Sequence, residues 1–379
     1  MKILCVIESG TWVEHQIVGS LMDSGHTVSV YRYGPAVGEF YPRARHVERN
    51  AKNRALVDMA DDLSRRSGLD LIFCYVYDDF LQPETARSLR RLGVPLVNYN
   101  VDMATQWYRQ IRIARYFDRM LCAEPVNMPL LARYNPRVLH FPMAARPPAP
   151  APEGESAFHP SAPVTFVGTP MPFRVALLSL LHQSGVPLAV YGKYWLDGRQ
   201  ASAPAGLEKT LADISRYTWP KLRSEGFAGL ARALGRRLWR QRAGAGGTVP
   251  RELCHGFVPD GGMQALFARS KINLGLTRTF GDNLDLHGTY MIKLRDFEVP
   301  MAGGFYLVER AGGYDNFFKP GVEVETWETP GELIAKIHHY LVHEKERNQI
   351  AAAGKLRAVT EHTWERRFSA LFAELGLNP

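Results

Sequence analysis

The chain opens on the apolar run KILCVIES, passes into WVEHQIVGSLMDSG, where apolar positions recur at helical spacing, and returns to an extended pattern in HTVSVYRY. Strand, helix and strand follow one another, with Gly25 as the helix stop, which predicts one βαβ unit. Further β-rich runs lie at 69–77 (LDLIFCYVY), 94–100 (VPLVNYN), 119–124 (RMLCAE) and 137–143 (RVLHFPM), with helical patterns such as PETARSLRRLG between several of them. Such alternation predicts a parallel, doubly wound sheet.

After Pro142 the pattern breaks into MAARPPAPAPEGESAFHPSA, which is too rich in Pro, Ala and small polar residues to form a core element and suits a tether. A second strand and helix series then begins with APVTFVGTPMPFRVALLSLLHQSG and runs through PLAVYGKYW, ELCHGFV, MQALFARSKINLGLTR and MIKLRDFEVPMAGGFYLVE. The fold class read from this is α/β, with two Rossmann-like halves. Residues 1–145 form the first, 146–162 the linker and 163–355 the second, with an insertion at about 199–250 and a terminal helix at 356–379. At 379 residues with 46% hydrophobic content, two cores are the default for a chain of this size.

Composition changes this picture in three places. Cys5, Cys74, Cys122 and Cys254 lie far apart without CxxC spacing, and the first three sit in apolar runs, so they read as reduced core residues. The start lacks the basic region, long apolar stretch and cleavage site of a signal peptide, and no run of about 18 apolar residues marks a membrane span, so a cytoplasmic protein is expected. The net charge of +8 is uneven: between 216 and 242 eight Lys and Arg face a single acid, Glu225. Phe227, Leu230, Leu234 and Leu238 recur there at helical spacing, so the segment reads either as a solvated basic helix or as a face resting on anionic lipid at the inner side of a membrane. Nucleic acid is not expected, since no aromatic interleaving or helix-turn-helix pattern accompanies the charge.

Ligands of paired Rossmann domains bind beyond the carboxyl ends of the strands, here in a cleft between the halves. After the strand VTFV, Gly168 and Thr169 form a small-residue turn into a helix carrying Arg174, which offers backbone N–H groups and a cation to a diphosphate; a tight turn alone would use Gly168 equally well. In 273–304, Arg278 follows a strand, and Gly288 and Thr289 read as the entrance of a helix carrying Lys293, Arg295 and Glu298. Glu298 could accept hydrogen bonds from both ribose hydroxyls of a nucleotide, or simply pair with a neighbouring cation. No DxD-like metal site stands out: Asp282, Asp285 and the pair Asp78–Asp79 read as loop caps or exposed turns, so neither metal nor cofactor is expected.

At these residues the sequence resembles the CgeB-like glycosyltransferases, a GT-B family found widely in bacteria. The resemblance is most specific from 270 to about 368, through SKINLGLTR, LRDFEVPMAGGFYLV, the FFKPGVEVETWETPGELIAKIHHYL block and ERNQIAAAGKLRAVTEHTWERR. It is looser at VTFVGT, VYGKYW, HGFVP and VPLVNYNVDMATQW. It implies an N-terminal acceptor domain, a C-terminal nucleotide-sugar domain and a terminal helix crossing back to the first domain. It also implies Glu298 as the ribose ligand, Gly256, Phe257 and Val258 as the nucleobase loop, and Thr289 as a phosphate-facing helix start.

In the activity so implied, a sugar moves from a nucleotide-diphosphate sugar to a glycan, lipid-linked or protein acceptor, in a role such as polysaccharide biosynthesis. Negative charge builds on the departing diphosphate, and Arg278 with the helix entrance at Gly288 and Thr289 would meet it without a metal. Many retaining relatives carry a Glu eight positions before the ribose Glu; this chain has Tyr290, which favours inversion. An inverting enzyme needs a base near the acceptor hydroxyl, for which Asp102 and then His15 are the candidates, with Glu8 and Glu14 beside the latter. Two other readings stay open, a nucleotide-sugar 2-epimerase of the same fold and a non-catalytic sugar-nucleotide-binding or assembly protein. A dinucleotide dehydrogenase is disfavoured by the missing GxGxxG.

Overall fold

The computed structural model describes residues 1–34, 43–101, 107–148, 159–196, 248–278 and 291–378, with a few positions between 218 and 231. Asp102, Gly288, Thr289, Tyr290, Asp282, Asp285 and most of the basic segment lie outside them. The chain divides into two compact units. The first comprises Met1–Pro142, Ala205–Leu234 and Trp364–Pro379; the second comprises Met143–Pro204 and Gly235–Thr363.

The first unit holds a six-stranded, fully parallel sheet in the order β2-β1-β3-β4-β5-β6. The strands are β1 (Lys2–Glu8), β2 (Thr27–Tyr33), β3 (Leu71–Cys74), β4 (Leu96–Asn100), β5 (Arg119–Cys122) and β6 (Val138–His140). Between β1 and β2 run one π-helical turn (Glu14–Val18) and α1 (Gly19–Asp23), ended by Gly25 at φ +80°. α2 (Arg43–Ser67) and α3 (Pro83–Arg90) join β2 to β3 and β3 to β4, and α4 (Met128–Ala132) precedes β6. β3 is shorter than its apolar run predicts: it ends at Cys74, and although the Tyr75 N–H still donates to the Val6 carbonyl at 2.9 Å, Tyr75 to Tyr77 continue outside the strand.

The second unit holds another six-stranded parallel sheet, in the order β12-β11-β10-β7-β8-β9. Its strands are β7 (Val164–Val167), β8 (Leu188–Tyr191), β9 (Cys254–His255), β10 (Ile272–Gly275), β11 (Tyr306–Glu309) and β12 (Glu325–Trp327). Its helices are α5 (Pro172–Gln183), α6 (Asp260–Arg269), α7 (Arg295–Met301), α8 (Pro330–Val342) and α9 (Glu344–Glu361). Strands such as LIFC, LVNYN, LAVY and YLVE are buried along their whole length, as a sheet covered on both faces requires.

A terminal helix, α10 (Trp364–Glu374), belongs to the first unit. Its fully buried Trp364 stacks on Trp12 at 6.0 Å, meets Tyr99 edge-on at 6.0 Å and donates to the Gln16 side chain at 3.3 Å. Phe368 packs against Phe73 and Phe141 at 5.3 and 5.5 Å. All four cysteines are free and buried, and burial pushes the Cys5 thiol up to about 12. Among the described residues no helix is long and apolar enough to cross a membrane, and no cluster of three His, Cys, Asp or Glu could hold a metal.

Candidate functional site

Parallel sheets bind ligands where successive strands leave in opposite directions, because the loops there diverge and open a crevice. In the second unit that point falls between β7 and β10. β7 delivers Gly168 and Thr169, and β10 delivers Leu276, Thr277 and Arg278.

Gly168 is held by its neighbours. Its N–H donates to the Tyr191 carbonyl at 3.0 Å, and its carbonyl accepts the buried Trp195 indole N–H at 2.6 Å. Gly192, at φ +140°, donates to the Gly256 carbonyl at 3.2 Å, and a Cβ there would collide with the Gly168 carbonyl. Gly168 and Gly256, which the sequence singles out separately, are thus stitched together through Gly192. A side chain at Gly168 would also meet the Phe166 ring at 2.7 Å. Beyond Gly256, Phe257 is 56% exposed with the Lys193 ammonium 5.1 Å from its ring centre, whereas Val258 is buried and belongs to the interior.

Arg174 stands in the first turn of α5, buried, with Nη1 donating to the Thr169 carbonyl at 3.0 Å and its guanidinium 5.6 Å from the Phe166 and Phe173 ring centres. Its partner is thus a neutral carbonyl, and its buried Nε meets no acceptor among the described residues. Burial, followed by repulsion from Arg295, lowers its pKa to about 10. Arg278 is 3% exposed; its Nη2 donates to Glu309 Oε1 at 2.7 Å and its backbone N–H to Oε2 at 3.1 Å. The Phe173 ring centre lies 5.9 Å from the Arg278 guanidinium as well, so one phenyl ring is near both cations.

Lys293 does not ride on the helix that the sequence suggests. α7 starts only at Arg295, because the buried Asp296 carboxylate reaches back to accept the Lys293 N–H, closing the helix entrance there. From that position Lys293 Nζ donates to the carbonyls of Leu276 and Arg278 at 2.7 and 3.3 Å. Glu298 does lie on α7 and forms an i,i+3 ion pair with Arg295 at 2.9 Å.

Several residues of this constellation escape sequence reasoning. Asp296 also accepts the Tyr306 hydroxyl at 3.0 Å, and burial raises its pKa to about 6. Tyr306 in turn needs Gly275, where a Cβ would press on its ring and hydroxyl. Glu309 sits at the end of β11 and could have been suspected from a charged residue closing an apolar strand. In the first unit, His15 is half-buried in the π-helical turn after β1, and Glu14 pairs with Arg32. Asp78 and Asp79 are not the exposed turns expected: both are largely buried, and Asp79 pairs with Arg109.

Comparison with known structures agrees with this architecture. HepE of Anabaena, solved with UDP and glucose, aligns with a TM-score of 0.56 at 12% identity over 99% of both chains. A glycosyltransferase of Rickettsia africae aligns at 0.55 and 11% identity over 100% of this chain and 99% of that one. Sucrose-phosphate synthase of Thermosynechococcus elongatus aligns at 0.54 and 11% over 99% of both. The fold is GT-B. No curated protein matches the sequence significantly. The glycosyl transferase-like family model matches residues 174–373, more than half of the chain and the whole β10 to α9 region, so the chain belongs to the glycosyl transferase-like family.

Proposed function

We propose that the protein transfers a sugar from a nucleotide-diphosphate sugar held by its second unit, as a metal-independent, inverting glycosyltransferase of the CgeB-like branch. The observation carrying this reading is the pair of buried guanidiniums, Arg174 and Arg278, beside the start of α5 at the β7/β10 switch point. Fixed cations and N–H dipoles in a shielded place are what a departing diphosphate needs. Glu298, partly exposed on α7, is the ribose ligand in this reading, and Phe257 with the Gly256 backbone receives the base. HepE, with UDP and glucose bound in the same fold, supports a uridine donor as the first to try. Inversion rests on Tyr290 in place of the Glu of retaining relatives. Membership of the family favours transfer over 2-epimerisation or binding alone.

UDP, GDP, ADP and dTDP tested by thermal shift should include one that raises the melting point, equivalent to about 2.7 kcal/mol at a hundred times its Kd. Arg174→Gln and Glu298→Ala should each weaken that shift when it is measured from the variant's own ligand-free melting point. No shift with any diphosphate would overturn the reading.

The basic 216–242 segment is proposed to rest on anionic lipid and so bring a lipid-linked acceptor within reach at the inner membrane face, in surface-glycan assembly. The protein should then sediment with phosphatidylserine vesicles, and replacing its eight basic residues should abolish this. Equal sedimentation of both forms, or none of either, removes the membrane role.

A further inference from the structure

The amino ends of β4, β5 and β6 in the first unit carry a side-chain cluster that the sugar-transfer reading leaves unused. Ligands of parallel sheets sit beyond the carboxyl ends of the strands, so this cluster lies at the opposite end of the sheet. Segment 114–118 leads into β5 there and is fixed by its neighbours. Asn135, 2% exposed, donates to the Ala114 and Phe117 carbonyls at 2.8 Å. Asp118 gives its N–H to the Leu96 carbonyl of β4 at 2.7 Å and accepts the Leu96 N–H on its carboxylate at 3.0 Å.

Five guanidiniums ring this segment. Arg90 of α3 donates to the Arg115 carbonyl at 3.3 Å, Arg137 to the Phe117 carbonyl at 3.3 Å and Arg119 to the Asp118 carbonyl at 3.0 Å. Arg87, one turn before Arg90 on α3, and Arg115 are both exposed, and both donate through Nη2 to the Tyr116 hydroxyl, at 3.2 and 2.9 Å. Those two Nη2 atoms therefore lie no more than about 6 Å apart. Two acids stand near the ring. Glu374 of α10 pairs with Arg119 at 3.3 Å, and the Asp118 carboxylate lies 3.8 Å from Arg90 and 3.9 Å from Arg137, beyond hydrogen-bond reach. Glu84, at the opposite end of α3, pairs with neither Arg87 nor Arg115, and no other acid does so among the described residues. Like charges this close repel unless a counter-charge lies between them. The Tyr116 hydroxyl takes one N–H from each guanidinium, leaving the others to be given, and the two cations, Arg115 before Arg87, lower the pKa of the phenol.

We infer that Arg87 and Arg115 form a clamp for a phosphate group, with Arg90, Arg119 and Arg137 supplying the positive field around it. The inference does not depend on the sugar-transfer reading. Five guanidiniums against two carboxylates leave three positive charges, which favours an anionic partner. Phosphate oxygens accept guanidinium N–H groups at about 2.7–2.9 Å, and the tetrahedral group can offer oxygens to two forks that approach from different elements. A carboxylate, with two oxygens in one plane, is filled by a single fork. Such a phosphate group arrives on a soluble ligand or as a lipid headgroup, and both sources share this chemistry.

In the full chain, the Nε–Hε NMR signals of Arg87 and Arg115, each assigned by its loss in Arg87→Lys or Arg115→Lys, should move together as inorganic phosphate is added. They should saturate with one dissociation constant on the order of millimolar, while chloride at equal ionic strength leaves them in place. Arg87→Gln should weaken the phosphate response of Arg115 at least about tenfold, because one exposed arginine alone holds an anion poorly. A linear drift shared with chloride, or an Arg115 response untouched by Arg87→Gln, overturns the clamp. The source of the phosphate is read on chains whose eight basic residues in 216–242 are replaced, sedimented with phosphatidylcholine vesicles holding or lacking phosphatidic acid. Sedimentation that needs phosphatidic acid and disappears in the Arg87→Gln, Arg115→Gln double variant assigns a lipid headgroup. No sedimentation, or sedimentation that the double variant keeps, with the NMR saturation intact assigns a soluble phosphate. Sedimentation without that saturation reports diffuse charge and overturns the clamp as well.

Discussion

Arg278→Ala is expected to lower the unfolding free energy by about 3–5 kcal/mol, measured by denaturant titration, because it strands the Glu309 carboxylate in a buried site. The pair is 3% exposed on both sides, and Glu309 loses its guanidinium donor while the backbone N–H at position 278 stays. Replacing both by methionine should recover most of the loss, since neither desolvated charge then remains. The comparison also separates roles. If Arg278 meets the departing diphosphate, the double variant should fold and still bind nucleotide more weakly than the parent chain. Equal stability of Arg278→Ala and the parent would mean that Glu309 finds water or another cation.

Trp364→Ala is expected to destabilise the first unit by about 3–5 kcal/mol, since the indole is fully buried and deletion leaves a cavity among large rings. Trp12, Tyr99, Phe141 and Gln16 all lose a partner. Intrinsic fluorescence and near-ultraviolet circular dichroism should report the change in the first unit, where Trp12 stacks on Trp364. A loss below about 1 kcal/mol would mean that α10 contributes little to that core.

Both effects concern contacts of long sequence separation, which is also where the sequence stops being legible. Alternation of apolar runs was enough for two parallel sheets, because each strand reports its burial locally, and Gly168, Arg174, Arg278 and Glu298 could be suspected from their place after strands. The limits are physical. β3 ends three residues before its hydrophobic run does, because Asn98 captures the backbone of Val76. α7 begins after Lys293, because Asp296 closes its entrance from inside. Val258 belongs to the hydrophobic interior although it follows Gly256 and Phe257. Asp78 and Asp79 do lie in a turn, as their type suggests, but β4, α2 and the Arg109 segment enclose that turn from positions remote in sequence. Gly192, Gly275, Asp296 and Tyr306 matter only through each other or through distant neighbours, so no local pattern marks them.

The return of α10 to the first unit sets an order on synthesis. Sheet β1 to β6 leaves the ribosome first, yet Trp12, Phe73, Tyr99 and Phe141 lack their partners until Trp364 and Phe368 emerge, some 220 residues after Phe141. The second unit is complete by Thr363, where the Ala145–Thr363 bridge joins its two ends. Domains made at the ribosome usually finish in the order they are translated. Here the unit translated second can close first, while the rings of the first sheet wait for Trp364 and Phe368 to cover them.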